Sequence, residues 1–401
     1  MTLLRPTAWH NGIAARAGGA ALLLGAAWIT LFAIGTDLFV ISPLIPRIAG
    51  DYRIRPADAG LLVTIFAAGY AIAAPLFGHA ADRLGRRRVL VWCLCAFSAA
   101  NLLTSAADDL PQMLMARLAC GIAAAGIAPS LYALLGDAAP PGRRATWIAV
   151  GVTGLLAALP LGATAGTLLS PILGWRAIFL AMGLAGLALT LLNRLAWPSA
   201  PAAGPSHAAS AGAFPTLHLI KALLPTVAWS AALYGMYTYL AVGLAASGYT
   251  AQQIAETILL YGIAALAGAL AGGRIADRLG PQLAVQASLM ALAAAFGTME
   301  LAVKCGTAIT PVVGLVAITA QVFFPAQQAR LIETFGNRRA AALSWNNSAL
   351  FLGMTMGSLL GGPMFGAGGL AAIPVMSAIF AIAGVVLCLS KPQHLPAVSR
   401  A

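Results

Sequence analysis

Apolar residues in this 401-residue chain fill unbroken blocks instead of alternating or recurring at every third or fourth position. The first block runs from about Gly18 to Pro46. Eleven more lie at about 55–78, 88–107, 110–136, 145–169, 174–196, 219–246, 251–272, 282–302, 307–330, 340–366 and 369–390. At 1.5 Å per residue a helix of roughly 20 residues crosses a hydrocarbon layer about 30 Å thick. The pattern therefore predicts twelve transmembrane helices. The first block is longer than the apolar core of a signal peptide and reads as an uncleaved span.

The polar stretches between the blocks repeat. Gly78-His-Ala-Ala-Asp82-Arg83-Leu84-Gly85-Arg86-Arg87-Arg88 returns 195 residues later as Gly273-Arg-Ile-Ala-Asp277-Arg278-Leu279-Gly280-Pro281. At the same offset Arg143-Arg144-Ala145 meets Arg338-Arg339-Ala340, Gly162 meets Gly357, Gly166 meets Gly361 and Gly174 meets Gly369. One register across half the chain predicts an internal duplication. The expected organisation is a tail at 1–17, a six-helix half at 18–196, a linker at 197–218 rich in Pro, Ala, Ser and Gly, a second half at 219–390 and a tail at 391–401.

Charge refines the topology. Only 8% of residues are charged and 60% are hydrophobic, where soluble domains average roughly 25% charged. The net charge of +12 does not point to nucleic acid, because the basic residues sit in short clusters between apolar blocks and form no stripe on a solvated domain. Most fall in the tails and in the loops after even-numbered blocks. The exceptions are Arg47, Arg53, Arg55, Arg176 and Lys304 on the other side and Arg117 inside a block. By the positive-inside bias both termini are expected in the cytoplasm. The five cysteines lie in or beside apolar blocks without paired spacing, so neither a disulfide framework nor a metal site is expected.

Twelve spans with Gly78-x-x-x-Asp82-Arg83-x-Gly85-Arg86-Arg87 between the second and third, weakly repeated between the eighth and ninth, resemble the major facilitator superfamily. The resemblance covers nearly the whole chain. It implies an all-α integral membrane protein of two pseudo-symmetric six-helix halves, a monomer in a bacterial cytoplasmic (inner) membrane. It also implies a latch in which Asp82 and Asp277 cap neighbouring helix ends while Arg86 pairs with an acid, Asp137 being the expected partner; Arg83 and Arg278 belong to the same loops. Pro160, Gly162 and Gly166 followed by Gly174-Trp175-Arg176, and Trp345-Asn346-Asn347-Ser348 running into Gly353, Gly357 and Gly361, are similar to motifs of the proton-driven drug, sugar and purine efflux branch. Physically, small residues four apart let two helices touch backbone to backbone.

Ionisable residues inside spans are costly, so each is a functional candidate. Asp37 precedes Pro46 by nine residues, about 13 Å of helix. Desolvation at such depth works against the charged form, which suits a carboxylate that loads and unloads a proton. The alternative role is a hydrogen bond to backbone unwound near Pro43 and Pro46. Arg117 keeps its charge and needs an anion, carbonyls or water; its expected work is to hold Asp37 ionised or to bind an anionic substrate. Neither charge recurs 195 residues on, where Ala232 and Val312 stand. Proton handling is thus expected in the first half and substrate contact in the second. Tyr234, Tyr237 and Thr238 in the seventh span, Tyr261, Gln321, Asn346 and Asn347 are the candidate cavity residues. Glu256 is the alternative proton carrier, and Glu300 reads as a span-end residue.

The expected function is export of a small amphiphilic molecule, drug, sugar or purine-like, in exchange for protons, the partners being substrate, protons and the bilayer. A proton-coupled importer or facilitator of a small, possibly anionic metabolite is the alternative, and a lipid-handling protein the remote one. The chain carries no HExxH, no phosphate-binding P-loop and no paired intramembrane aspartates, so neither an enzyme nor a cofactor is expected.

Overall fold

The computed structural model describes residues 17–198, 217–305 and 309–389, which are helical apart from short turns. Most of the expected linker (199–216) and nearly all of both tails (1–16 and 390–401) lie outside the described residues. The helices are α1 Ala17–Tyr52, α2 Pro56–Ala59, α3 Leu61–Leu84, α4 Arg86–Ala106, α5 Leu110–Ala138, α6 Arg144–Ala157, α7 Thr164–Ala196, α8 Leu217–Ala246, α9 Ala251–Leu279, α10 Pro281–Lys304, α11 Ile309–Phe335 and α12 Arg339–Leu389. A π-helical turn, Ala158–Ala163, joins α6 to α7.

Among the described residues ten continuous helical stretches are long and apolar enough to span, where twelve separate blocks are expected. The difference lies in Thr146–Ala196 and Ala341–Leu389, of 51 and 49 residues. A straight rod of that length would measure about 75 Å, more than twice the hydrocarbon core. Each stretch is instead broken at a glycine with left-handed φ, Gly174 (78°) and Gly369 (60°). Around the first break the chain reverses: an added Cβ at Gly136 would meet Arg144 at one end, and Arg87 donates to the carbonyl of Arg194 at that same end. Trp175 meets Asp51 at the other. Twelve passes result, with the turns reduced to single glycines. A second pair 195 residues apart, Gly85 (φ 92°) and Gly280 (φ 84°), makes the turn after α3 and after α9. At these positions only glycine is free of steric strain.

Packing repeats in the same register. Helix α1 packs on α6 and α7 as α8 packs on α12, α3 on α5 as α9 on α11, and α4 on α5 as α10 on α11. Between the halves α1 meets α8, α3 meets α12, and the π turn and α7 meet α9. Ser42 donates hydrogen bonds to the carbonyls of Tyr237 and Thr238. Ser42 and Tyr237 are themselves 195 positions apart. Equivalent residues of two repeats touch only near the axis relating them, so this contact marks that axis, consistent with parallel repeats about the membrane normal.

We call the end carrying Gly85, Arg144, Arg194 and Arg339 the basic face. Hydrogen bonds between the halves gather toward the opposite face: Ser42 with α8, Thr64 with Ser358 at 2.8 Å, and Tyr237 donating to the carbonyl of Phe39 at 3.2 Å. Tyr239 donates to Ser358 O at 2.9 Å beside Gly60, Gly361 and Gly362, where added Cβ atoms would meet its ring or hydroxyl. Among the described residues the cross-half hydrogen bond nearest the basic face is Asn347 to Tyr70, at 3.3 Å.

Candidate functional site

Helix α1 runs unbroken through Pro43 and Pro46 to Tyr52, which removes the unwound backbone considered as a partner for Asp37. The carboxylate instead meets Arg117 on α5: Nη1 lies 2.9 Å from Oδ1 and 3.0 Å from Oδ2. Both side chains are 0% exposed. The pair sits inside the first half, not between the halves. Phe66 of α3 and Phe179 of α7 lie at 4.7 and 5.6 Å from the guanidinium, so its faces meet aromatic π systems. Gly121 lets α5 press against α3, since a Cβ there would strike the backbone of Phe66.

Two further groups complete the cluster. Cys120 Sγ donates to Asp37 Oδ2 at 3.5 Å, and Asn101 Nδ2 of α4 donates to that sulfur at 3.4 Å. Sequence reasoning finds neither a disulfide nor a metal role for Cys120 and passes over Asn101. The signals were present: Cys120 lies one turn from Arg117 on the same helical face, and an asparagine inside an apolar span is itself costly. Arg117 Nε and Nη2 have no hydrogen-bond partner among the described residues. The guanidinium thus spends one nitrogen on Asp37, and the whole side chain is buried.

The expected cavity residues separate into two groups. Tyr237 and Tyr261 approach to 5.1 Å between ring centroids, and Tyr237 also meets Phe39 edge-on at 6.0 Å. Tyr234 is buried on the same helix face, and Gln321 is half-buried on α11. The Thr238 hydroxyl returns to Tyr234 O, and Asn346 accepts from Thr226 within the second half, so neither side chain reaches across. Asn347 does, through Tyr70, which stacks on Phe351 at 3.6 Å. Glu256 is exposed beside Gln252, and Glu300 bonds Lys304 at 2.7 Å; both belong to helix ends.

At the basic face Arg86 forms an ion pair with Asp137. Asp82 stands in the last turn of α3, and its side chain lies outside the described residues. Arg83, Asp277 and Arg278 are exposed, and α10 starts from Gly280 without a side-chain cap. Gly78 is open, with nothing within 4 Å of an added Cβ, so its place in the loop pattern is not explained by close packing. The helix-packing glycines are occupied: a Cβ at Gly162 would meet Thr36 and one at Gly166 Val40, while in the second copy Gly357 abuts the backbone of Ala231 and Gly361 abuts Tyr239. Pro160, in the π turn, presses its backbone on Gly262 of the other half. At the opposite face Asp51, unremarked in the sequence, accepts from Trp175 Nε1 at 2.7 Å and Arg176 Nη1 at 3.2 Å, tying the end of α1 to the turn at Gly174.

The broken twelve-pass bundle with duplicated packing does not name a family by itself; the family model does. Residues 27–319 match the model of the Major Facilitator Superfamily. The chain belongs to that family. It is a multi-pass membrane transporter. This facilitator is 29% identical over 387 residues to the inner membrane transport protein YdhP of Escherichia coli (strain K12), covering 92% of this chain and 94% of that one. It is 26% identical over 348 residues to the uncharacterized MFS-type transporter YceJ of Bacillus subtilis (strain 168), covering 84% and 87%. A chloramphenicol resistance protein of Streptomyces lividans is 30% identical over 256 residues, 62% of this chain and 65% of that one. The fold is shared with the crystal structure of a bacterial homolog of the human lysosomal transporter Spinster, at a TM-score of 0.76 and 18% identity over 93% of this chain and 98% of that one.

Proposed function

We propose that this facilitator is a proton-coupled exporter of small amphiphilic molecules, with Asp37 as the proton carrier and Arg117 as its counter-ion. The observation that carries the reading is the fully buried Asp37–Arg117 pair inside the first half. A buried ion pair is no more stabilising than apolar side chains of the same volume, and is often less so. Its retention therefore calls for a cycle that uses the charge. A proton on Asp37 cancels the carboxylate, and Arg117 must then turn its bonds elsewhere. That gives the first half two packings for rocking against the second. Because Arg117 is buried inside the first half against Asp37, away from the seam between the halves, the pair favours proton exchange over anion uptake.

Substrate contact falls to Tyr237 and Tyr261 with Tyr234 and Gln321, at the seam of α8 and α9 with α1. Aromatic hydroxyls there suit a ligand that is largely uncharged and partly apolar. The name of the Streptomyces relative supports amphenicols as one class to try first. The basic face lies on the cytoplasmic side of a bacterial inner membrane by the charge bias, and the Arg86–Asp137 pair latches one access state there. Asn347 and Tyr70 form the contact nearest that latch.

The reading is tested in inverted vesicles under an imposed pH gradient, challenged with amphenicols, nucleobases, sugars and organic cations. Proton release on addition of one compound, with the compound accumulating inside, is the expected result. Accumulation of a compound that proceeds without any proton movement would establish a facilitator and overturn the antiport.

A further inference from the structure

Outside the bundle interior, the first half carries a groove that the transport cycle does not use. It has a volume of about 370 Å³ and lies between α3, α4 and α5, lined by Phe77, Trp92, Ala96, Ala119, Ile122 and Ala123 together with Cys93. Its origin is local. At Gly126 the three helices converge so closely that a Cβ would meet Cys93 and Phe77. Deeper in the membrane, alanines at 96, 119 and 123 are too short to close the space. A void lined by apolar side chains and opening sideways cannot stay empty in a bilayer, and water is a poor filler of it.

The polar end of the occupant follows from α4. Arg88, Trp92 and Ala96 succeed one another at four-residue steps on one face of that helix. Arg88 is exposed, and Trp92 is 58% exposed about 6 Å deeper along the helix. Cation, interfacial aromatic ring and apolar cleft are thus stacked in the order of phosphate, glycerol region and acyl chain. Arg83 is exposed at the end of α3, and the nearby acid Asp137 is engaged by Arg86. Among the described residues neither Arg83 nor Arg88 has a carboxylate partner.

We propose that this groove is a specific site for one anionic phospholipid, an acyl chain lying against Ala96, Ala119 and Ile122 and the phosphate meeting Arg88. The groove touches α3 and α4, the two helices joined by the Gly85 turn. A bound lipid therefore sits beside the loop that carries the Arg86–Asp137 pair, and this assignment is independent of the transported substrate.

Native mass spectrometry of the purified full chain in detergent, titrated with phosphatidylglycerol and with phosphatidylethanolamine, tests it. The wild type should retain phosphatidylglycerol about fivefold more strongly, the equivalent of roughly 1 kcal/mol for one Lys or Arg at an anionic surface. Arg88→Gln should erase that preference while still retaining lipid. Ala119→Leu, at an exposed position pointing into the groove, should remove the adduct for both lipids, and Ala96→Leu should do the same from the facing helix. Equal retention of the two lipids by the wild type, or unchanged adducts in Arg88→Gln or in both groove variants, would overturn the proposal.

Discussion

Arg117→Gln is expected to abolish gradient-driven transport and to lower stability by about 3–5 kcal/mol, the cost of removing one partner from a buried pair. The reasoning starts from Asp37, which is 0% exposed and draws its hydrogen bonds from Arg117 and Cys120. Without the guanidinium the carboxylate is left buried with no countercharge. A carrier that has lost its counter-ion cannot complete the cycle. Arg117→Lys keeps the charge but loses the planar contact with Phe66 and Phe179, so it should restore part of the stability and only a small part of the rate. Thermal unfolding in detergent and vesicle transport separate the two effects. Full transport by Arg117→Gln at wild-type stability would remove the pair from the mechanism.

The second large effect is expected in the seam of the second half. In Gly357→Val the new side chain meets the backbone of Ala231 on α8, which cannot move aside as a flexible side chain would. Overpacking of this kind costs about 1–3 kcal/mol or more, and here it drives apart the two helices that carry the tyrosine seam and Asn347. Gly366→Val, nine residues along the same helix, meets nothing within 4 Å and should behave as wild type. The pair of variants isolates packing from the mere loss of a glycine. Comparable folded yield and transport in the two would show that the seam does not need its close approach.

Much of this fold is legible in the residue order. Twelve apolar blocks give the twelve passes, and the 195-residue register that aligns Gly174 with Gly369 reappears in the helix packing and in the turns at those two glycines. What pattern reading does not supply is continuity: it leaves short loops at those glycines, where a single left-handed residue suffices to reverse the chain. Side-chain partners are less legible still. Asp37 and Arg117 stand out because charge in an apolar span is expensive, and each is found paired with the other. Cys120 and Asn101 join them only through the packing of α4 on α5, a tertiary contact that no local pattern encodes. Asn346 and Asn347 are neighbours in sequence, yet one turns inward to Thr226 and the other crosses to Tyr70. A helix rotates about 100° per residue, so adjacency along the chain says little about which of the two reaches the other half.

The most direct test of the account is proton flux from inverted vesicles on addition of the transported compound, measured side by side for wild type and Asp37→Asn. The amide fills the place of the carboxylate without its charge or its titration. Substrate-evoked proton release in the wild type and none in Asp37→Asn, with the variant still binding the compound, is the predicted result. Equal proton release from both would place the proton on another group and contradict the central claim.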